Sequence, residues 1–244
     1  MEDLGNLAKI GWDICGTSTE LFFPLSRRHH RHCEVHGTDE FYFQETLEAG
    51  SASHLLVIAD GMGGHENGEI ASRMALETLS SAIGRRRIPF DVSAAILEAH
   101  QRICQFANGG GQGLGMGTTV AEIWLNKCGA KVFNVGDSRV YCFRGFVIEQ
   151  LSADDVGAYK GSITQCLGGG IPTDPVPHLC GVDFNSGDGF FVVSDGVSDV
   201  LSTADFLEIW VSKEPEDMAS TICNLAVRRG SGDDVSVLAI KKQE

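Results

Sequence analysis

Apolar, strand-like runs that stop beside an aspartate set among small residues constrain the fold of this chain most strongly. Four such runs occur, at residues 54–59, 130–135, 190–194 and 235–240. The acids beside them are Asp60, Asp137, Asp195, Asp233 and Asp234. A strand that ends on a carboxylate next to glycine holds that carboxylate at a sheet edge, where backbone or a ligand can approach closely. We therefore expect several strand ends to gather carboxylates, although each such end alone is also common turn chemistry.

The types of ligand in this pattern indicate which cation a cluster would bind. Carboxylates and glycine carbonyls, without Cys or His, favour Mg²⁺ or Mn²⁺. A calcium-binding EF-hand loop is excluded, because residues 60–71 lack carboxylates at the third and fifth positions and end in Ala71. Two ions roughly 3.5–4 Å apart can activate a bridging water at neutral pH and neutralise phosphate oxygens. Such chemistry needs no side-chain nucleophile, and the sequence has no Gly-x-Ser-x-Gly elbow.

Composition narrows the partners and the compartment. A formal net charge of −14 argues against nucleic acid or an anionic membrane as the main partner. The eight cysteines are scattered without a Cys-x-x-Cys pair, which predicts reduced thiols rather than a zinc site or a disulfide framework. No apolar stretch approaches the roughly 18–20 residues of a membrane span. The acidic start of the chain lacks the features of a signal peptide, so we expect a cytoplasmic protein.

Apolar periodicity predicts an order of helices and strands that requires more than one layer. Helices are expected over residues 66–83, from a cap at Asp91 or Ser93, over 203–211 and over 217–228. The second helix should bury Val92, Ile96, Ala99, Ile103 and Phe106. Strands are expected within 10–23 and at 39–43, then as an antiparallel meander over 118–125, 130–135, 139–143 and 146–151. A core of sheet on sheet with helices outside buries one face of every element.

The aspartates belong to an ordered set of motifs that covers nearly the whole chain. The motifs are Asp60-Gly61-Met62-Gly63-Gly64-His65, Gly115-Met116-Gly117-Thr118-Thr119, Gly136-Asp137-Ser138-Arg139, Ser194-Asp195-Gly196 and Gly232-Asp233-Asp234. In order and spacing, from residue 38 to residue 240, they resemble the metal-dependent protein phosphatases, the type-2C serine/threonine family, in its bacterial form. The resemblance implies an α+β fold, a four-layer α–β–β–α sandwich of two antiparallel sheets flanked by helix pairs. It also implies one domain over residues 1–244, whose first 36 residues form an irregular segment with a basic tract at 27–32.

The resemblance assigns metal-binding roles to five residues. Asp60 would bridge two ions, Mg²⁺ or Mn²⁺, and the carbonyl of Gly61 would bind one of them. Asp195 and Asp233 would complete the shell of the other ion. Asp137 would hold a third, weaker ion together with Asp195.

Three further residues receive roles from the same resemblance. Asp39 matches the aspartate of the family's Asn-Glu-Asp motif and would act through metal-bound water, which makes Asp39 and Asp60 the catalytic pair. His65 is expected to be an ordinary loop histidine. Arg139 is expected to support the hairpin fold rather than to bind phosphate.

Two departures from the family pattern bear on activity. Glu34 stands where the family usually places an arginine that binds the substrate phosphate, and a carboxylate there would repel a phosphate. Either Arg31 or a neighbour supplies the cation instead, or phosphate binding is weak. Asp234 replaces the usual asparagine after Asp233 and keeps its size and its capacity to accept hydrogen bonds.

The sequence therefore predicts a cytoplasmic, Mg²⁺- or Mn²⁺-dependent serine/threonine phosphoprotein phosphatase. It would be a monomer that hydrolyses phosphomonoesters by attack of a metal-bridging water on a phosphorylated protein, in opposition to a serine/threonine kinase, without nucleic-acid or membrane partners. Two alternatives remain open at this point. One is a catalytically weak pseudophosphatase that binds a phosphoprotein or a kinase, and the other is a hydrolase of small phosphoesters.

Overall fold

Thirteen strands and five helices make up the part of the chain that the computed structural model describes, residues 12–16, 38–48, 51–63, 65–84, 91–110, 115–126, 129–159 and 161–242. The strands are β1 (Trp12–Gly16), β2 (Glu40–Glu48), β3 (Ser51–Ala59), β4 (Gly61–Met62), β5 (Gly117–Thr118), β6 (Val120–Asn126), β7 (Gly129–Val135), β8 (Arg139–Arg144), β9 (Val147–Gln150), β10 (Leu167–Gly168), β11 (His178–Val182), β12 (Gly189–Val193) and β13 (Val237–Lys242). The helices are α1 (His65–Gly84), α2 (Val92–Gly110), α3 (Asp195–Ser198), α4 (Thr203–Ser212) and α5 (Pro215–Arg228). The basic tract 27–32, Arg31 and Glu34 lie outside the described residues.

Two five-stranded antiparallel sheets contain ten of the thirteen described strands. One sheet has the order β1-β13-β12-β8-β9 and the other the order β11-β7-β6-β3-β2. A third, small sheet with the order β10-β5-β4 lies where the aspartate-ended strands stop. The expected strands at 39–43 and within 10–23 correspond to β2 and β1.

Side-chain alternation along the strands produces three apolar layers. In β3, Leu56 and Ile58 point toward the opposite sheet, where they meet Phe190 and Val192 of β12. Leu55 and Val57 point the other way, into the layer beneath α1 and α2. On the far side, α4 and α5 cover an aromatic-rich layer of the second sheet. The predicted α–β–β–α sandwich is therefore confirmed.

Local capping explains where several of the predicted helices begin. The Asp91 carboxylate accepts a hydrogen bond from the backbone N–H of Ala94 (3.0 Å) at the start of α2. At α4, the Ser202 hydroxyl and the Asp205 carboxylate form a reciprocal capping box. In α2 the expected apolar face is buried up to Ile103, but Phe106 is 52% exposed. That prediction was wrong, because the buried stripe continues at Ala107 instead.

The expected four-stranded meander is also wrong at one point. β6 pairs with β7, and β8 pairs with β9, but β7 and β8 belong to different sheets. The turn at Gly136 has φ +102°, which glycine adopts without strain, and it sends the chain from one sheet to the other. Among the helices that the structure describes, none combines the length and apolar character that crossing a membrane requires.

Candidate active site

A cleft of about 410 Å³ opens where the aspartate-ended strands meet. Asp60, Asp195 and Asp233 line it, although they are far apart in sequence. Ile163 and Ile171, from the long connection between β9 and β11, line it as well. The cleft therefore combines an acidic and an apolar lining.

Asp60 is fixed in place through its backbone. Its carbonyl oxygen accepts hydrogen bonds from the Thr119 N–H (2.8 Å) and the Thr118 hydroxyl (2.9 Å). Its own N–H donates to the Thr119 hydroxyl oxygen (3.2 Å), which also lies 2.7 Å from the hydroxyl of Ser138. These hydroxyl groups hold Asp60 between β3 and β4 while its carboxyl group remains accessible from the cleft.

Burial and mutual repulsion perturb the carboxyl groups of Asp60 and Asp195. Surrounding protein raises the pKa of Asp60 well above its ordinary value, and the charges of Asp39, Asp195 and Asp233 raise it further. The pKa of Asp195 is also raised, first by burial, although a hydrogen bond from the Asp60 carboxyl group opposes that increase. The two carboxyl groups therefore influence each other's ionisation.

Asp39 lies next to this pair and is 1% exposed. Burial raises its pKa to about 7, the nearby Ser236 hydroxyl lowers it, and the charge of Asp234 raises it. Neither oxygen of Asp39 receives a hydrogen bond of ordinary length. The segment before it is anchored, because the Thr38 N–H donates to the Asp234 carboxylate (2.6 Å). Asp234, the second departure from the family pattern, thus has a structural task in this chain.

Asp137 occupies the crossing turn between β7 and β8. Burial raises its pKa to about 6, and the charge of Asp195 contributes to that increase. One of its oxygens is buried without a partner. Arg139 instead donates to the Asp154 carboxylate (2.6 Å), which agrees with the expected role of Arg139 in the hairpin.

Glycines beside these acids allow backbone segments to touch. A side chain on Gly196 would overlap the carbonyl oxygen of Asp234, so Asp195-Gly196 and the loop that carries Asp233 are in direct backbone contact. A methyl group on Gly61 would overlap the carbonyl of Gly68 in the first turns of α1. These contacts explain why glycine follows the two aspartates Asp60 and Asp195.

The donor set can accommodate divalent cations that retain part of their water shell. Among the described residues, no three Asp, Glu, His or Cys side chains form a ready-made closed site. However, buried oxygens of Asp39, Asp137 and Asp195 have no hydrogen-bond partner, and several carboxyl groups repel one another. Mg²⁺ and Mn²⁺ suit such a site, because ions of this kind are held by a few carboxylates and keep several waters.

The structure brings together Asp60, Asp195 and Asp233 in the cleft, with Asp39 alongside, as the sequence predicted. Asp137 lies near enough to Asp195 for the charge of Asp195 to raise the pKa of Asp137. Gly61 also lines the cleft, whereas Gly64 lies outside the described residues. Three hydroxyl residues of the site, Thr118, Thr119 and Ser138, lie within the sequence motifs but had no predicted role. The signal that could have indicated a role was their position in motifs that also carry the aspartates.

Burial excludes as a nucleophile the one cysteine that has the sequence spacing of a cysteine-dependent phosphatase. The Cys-x₅-Arg spacing of cysteine-dependent phosphatases occurs once, at Cys223 and Arg229. Cys223 lies within α5 and is fully buried, and burial raises the pKa of its thiol to about 12. Because the thiolate is the reactive form, this residue is inert.

Comparisons with known proteins agree with the arrangement of the cleft. The family model described as Protein phosphatase 2C matches residues 28–232. The serine/threonine phosphatase stp of Listeria innocua is 27% identical over 216 residues, which cover 77% of this chain and 84% of that protein. Protein phosphatase PhpP of Streptococcus pneumoniae is 28% identical over 216 residues, which cover 78% of this chain and 86% of that protein. The solved catalytic domain of the serine/threonine phosphatase PstP, in complex with two manganese ions, is 25% identical with a TM-score of 0.76, covering 96% of this chain and 99% of that domain.

Proposed function

This chain belongs to the protein phosphatase 2C family and is a serine/threonine phosphatase, and on that premise we propose that its acidic cleft binds two divalent cations and dephosphorylates proteins. The observation that carries the proposal is that Asp60, Asp195 and Asp233, from separate strand ends, line one cleft, where negative charge raises the pKa values of Asp60 and Asp195. Their raised pKa values reflect electrostatic repulsion that bound cations would relieve. The manganese ions in the related PstP structure are consistent with this role.

We assign the ligands as follows. Asp60 and the carbonyl of Gly61 would hold one cation, Asp60 with Asp195 and Asp233 would hold the other, and Asp137 with Asp195 would hold a weaker third. When bound, the cations supply the positive charge that activates water and neutralises phosphate oxygens. The choice between Mg²⁺ and Mn²⁺ and the number of ions are part of the proposal.

The chain's own groups keep this arrangement rigid. Thr118 and Thr119 hold the backbone of Asp60 by hydrogen bonds. Asp39, which follows the anchored residue Thr38, would orient water at the edge of the site. Ile163 and Ile171 contribute apolar side chains to the lining of the cleft.

A phosphorylated protein is the proposed substrate, and a serine/threonine kinase would supply it. The proposal includes a monomeric protein of one domain, active in the cytoplasm. Nothing in the described residues favours the catalytically weak alternative, because the cleft retains its clustered acids and such charge is costly to keep without a function. The proposal also covers phosphate binding: either Arg31 or a neighbour supplies the cation, or Glu34 weakens the binding of phosphate.

Hydrolysis of a phosphothreonine peptide by the purified protein tests this function. We expect turnover with Mn²⁺ or Mg²⁺, loss of turnover with a chelator, and recovery when the cation is restored. Turnover of p-nitrophenyl phosphate without turnover of the peptide would instead identify a hydrolase of small phosphoesters. Binding of the peptide without turnover of either compound would identify a catalytically weak binding protein.

A further inference from the structure

Asp155 is a buried carboxylate outside the acidic cluster, and it contacts more than one functional segment. It lies in the connection that follows β9 and is 6% exposed. Unlike the cleft acids, it has hydrogen-bond partners on both carboxylate oxygens. Three donors already occupy this carboxylate, which points to a role in the groups that it joins.

One oxygen of Asp155 holds the turn that carries Asp137. The Gly136 N–H donates to Oδ2 of Asp155 (2.9 Å), and the Asp155 N–H donates back to the Gly136 carbonyl (3.0 Å). Only glycine fits at position 136, because a methyl group there would overlap Thr119. The two hydrogen bonds with Asp155 therefore help to fix the position of the turn, beside a longer bond from the Asn134 amide to the Gly136 carbonyl (3.4 Å).

The other carboxylate oxygen of Asp155 contacts the segment that contributes the apolar lining of the cleft. Oδ1 accepts hydrogen bonds from Nε2 of Gln165 (2.8 Å) and pairs with Nε2 of His178 (2.8 Å). The Gln165 side-chain oxygen in turn accepts a hydrogen bond from the Val176 N–H (2.9 Å). We call residues 161–171 the cleft wall. The contacts of Gln165 tie its middle to Asp155 and to the chain just beyond its end.

We propose that Asp155 is a positioning residue that couples the Asp137 turn to the cleft wall, so that cation binding at Asp137 and substrate binding against the wall strengthen each other. The cation half of this inference rests on the proposed function. The physical reason is that one carboxylate satisfies buried donors from both segments, so displacement of either segment costs hydrogen bonds to the other. By linkage, a coupling of this kind acts equally in both directions.

A merely structural role for Asp155 predicts different results, and the chain offers a matched control for it. Asp188 is equally buried at 6% exposure and accepts a hydrogen bond from the Asn185 N–H (2.9 Å). It lies just before β12, at the opposite end of that strand from Asp195. Loss of Asp188 should therefore lower stability without affecting either the cleft wall or the Asp137 turn.

Hydrogen exchange on the cation-free protein tests the coupling without any dependence on activity. In Asp155→Asn, an amide nitrogen must face either Gly136 or Gln165, so one link is lost. We expect the backbone amides of residues 134–141 and 156–166 to exchange faster together, on the order of tenfold, with no change there in Asp188→Asn. Faster exchange in only one of the two segments, or the same response in Asp188→Asn, would overturn the proposal.

Gln165→Met provides the sharper second test, because it removes the side-chain link between the wall and the Asp155 carboxylate and leaves the contacts between Asp155 and Gly136 intact. The backbone bond from the Thr164 N–H to the Asp155 carbonyl (2.8 Å) also remains. Calorimetry with Mn²⁺ should show that the weakest-bound ion loses affinity by about threefold, and the KM for a phosphothreonine peptide should rise more than kcat falls. Unchanged affinity of that ion in Gln165→Met would contradict the coupling. If the wild-type protein hydrolyses no phosphopeptide, the proposed function fails, while the exchange experiment still decides the role of Asp155.

Discussion

Within the described residues, two places hold buried acidic side chains whose oxygens lack hydrogen-bond partners, and they differ in what surrounds them. Glu122 lies in β6, opposite Val57 and Phe133 of the neighbouring strands, in the layer covered by α1 and α2. Both of its oxygens are buried without a partner, and burial alone raises its pKa to about 8. The cleft carboxyl groups are perturbed by burial and also by one another's charge.

The difference teaches that burial by itself does not identify a functional site. Glu122 can stay neutral up to about pH 8, and it is not among the residues that line the cleft. The cleft acids come from separate strand ends, repel one another and border an open cleft, so a bound cation would relieve their repulsion. Mutual charge and access together distinguish a candidate metal site from a tolerated defect in the core.

The largest effect is expected from removal of single charges in the cleft. Asp60→Asn, Asp195→Asn and Asp233→Asn should each reduce turnover of a phosphothreonine peptide by more than about a hundredfold, because each removes a charge that offsets the cations. The cation-free variants should also melt slightly higher than the wild type, since repulsion between carboxylates is relieved. Steady-state kinetics and thermal melts with chelator measure both quantities.

Glu122→Gln serves as the control for this series and should keep wild-type turnover. A loss of turnover in Glu122→Gln as large as in Asp60→Asn would remove the distinction between the two regions. Near wild-type activity in any of the three aspartate variants at saturating Mn²⁺ would show that its assignment as a ligand is wrong.

The next largest effect concerns the free energy of unfolding, and we expect it from substitution of Glu122. Its pKa is about 8 in the folded protein and near 4.5 in the unfolded chain, so the folded state binds more protons between these values. The stability that this group contributes is therefore present below pH 4.5 and is lost as the pH rises through 8. Glu122→Leu should raise the free energy of unfolding at pH 9 by on the order of a few kcal/mol, with a smaller gain at pH 5. Chemical denaturation at both values measures it, and an equal gain at both would contradict the reasoning.

A smaller effect is expected within the cleft region itself, at Asp137. Its turn is separate from the loop that carries Asp233, and its interaction with the others runs through Asp195. Asp137→Ala should leave two ions bound and lower activity on phosphopeptides by about tenfold. Calorimetry and kinetics together decide the matter. Equal ion stoichiometry and equal activity in wild type and variant would reduce Asp137 to a turn residue.

Much of the fold and the cleft could be predicted because the information is local. Each cleft aspartate follows or precedes an apolar strand run, and such a position fixes a side chain at a sheet edge. Helix caps such as Asp91 and Ser202 are equally local signals, although only the first was used. The layered architecture then follows from the need to bury one face of each helix and sheet.

The remaining features depend on contacts between distant segments. The crossing of the chain at Gly136 was not predicted, because a short turn between two strands looks the same whether the strands pair or enter different sheets. The contacts of Asp155 join residues from 136 to 178, and no spacing in the sequence indicates them. Glu122 sits in a predicted strand, but its burial depends on the helices that cover it.

Proton release on cation binding tests the central claim, that cations displace protons from the acidic cleft and relieve the repulsion among its carboxyl groups. Binding requires deprotonated carboxylates, so Mn²⁺ added at pH 6 should release protons from groups whose pKa is raised, including Asp39 at about 7 and Asp60. Calorimetry in two buffers of different ionisation enthalpy measures the release. We predict on the order of one proton or more per molecule in the wild type and in Glu122→Gln, and a clear decrease in Asp60→Asn. Binding of Mn²⁺ without proton release, or equal release in Asp60→Asn, would contradict the account.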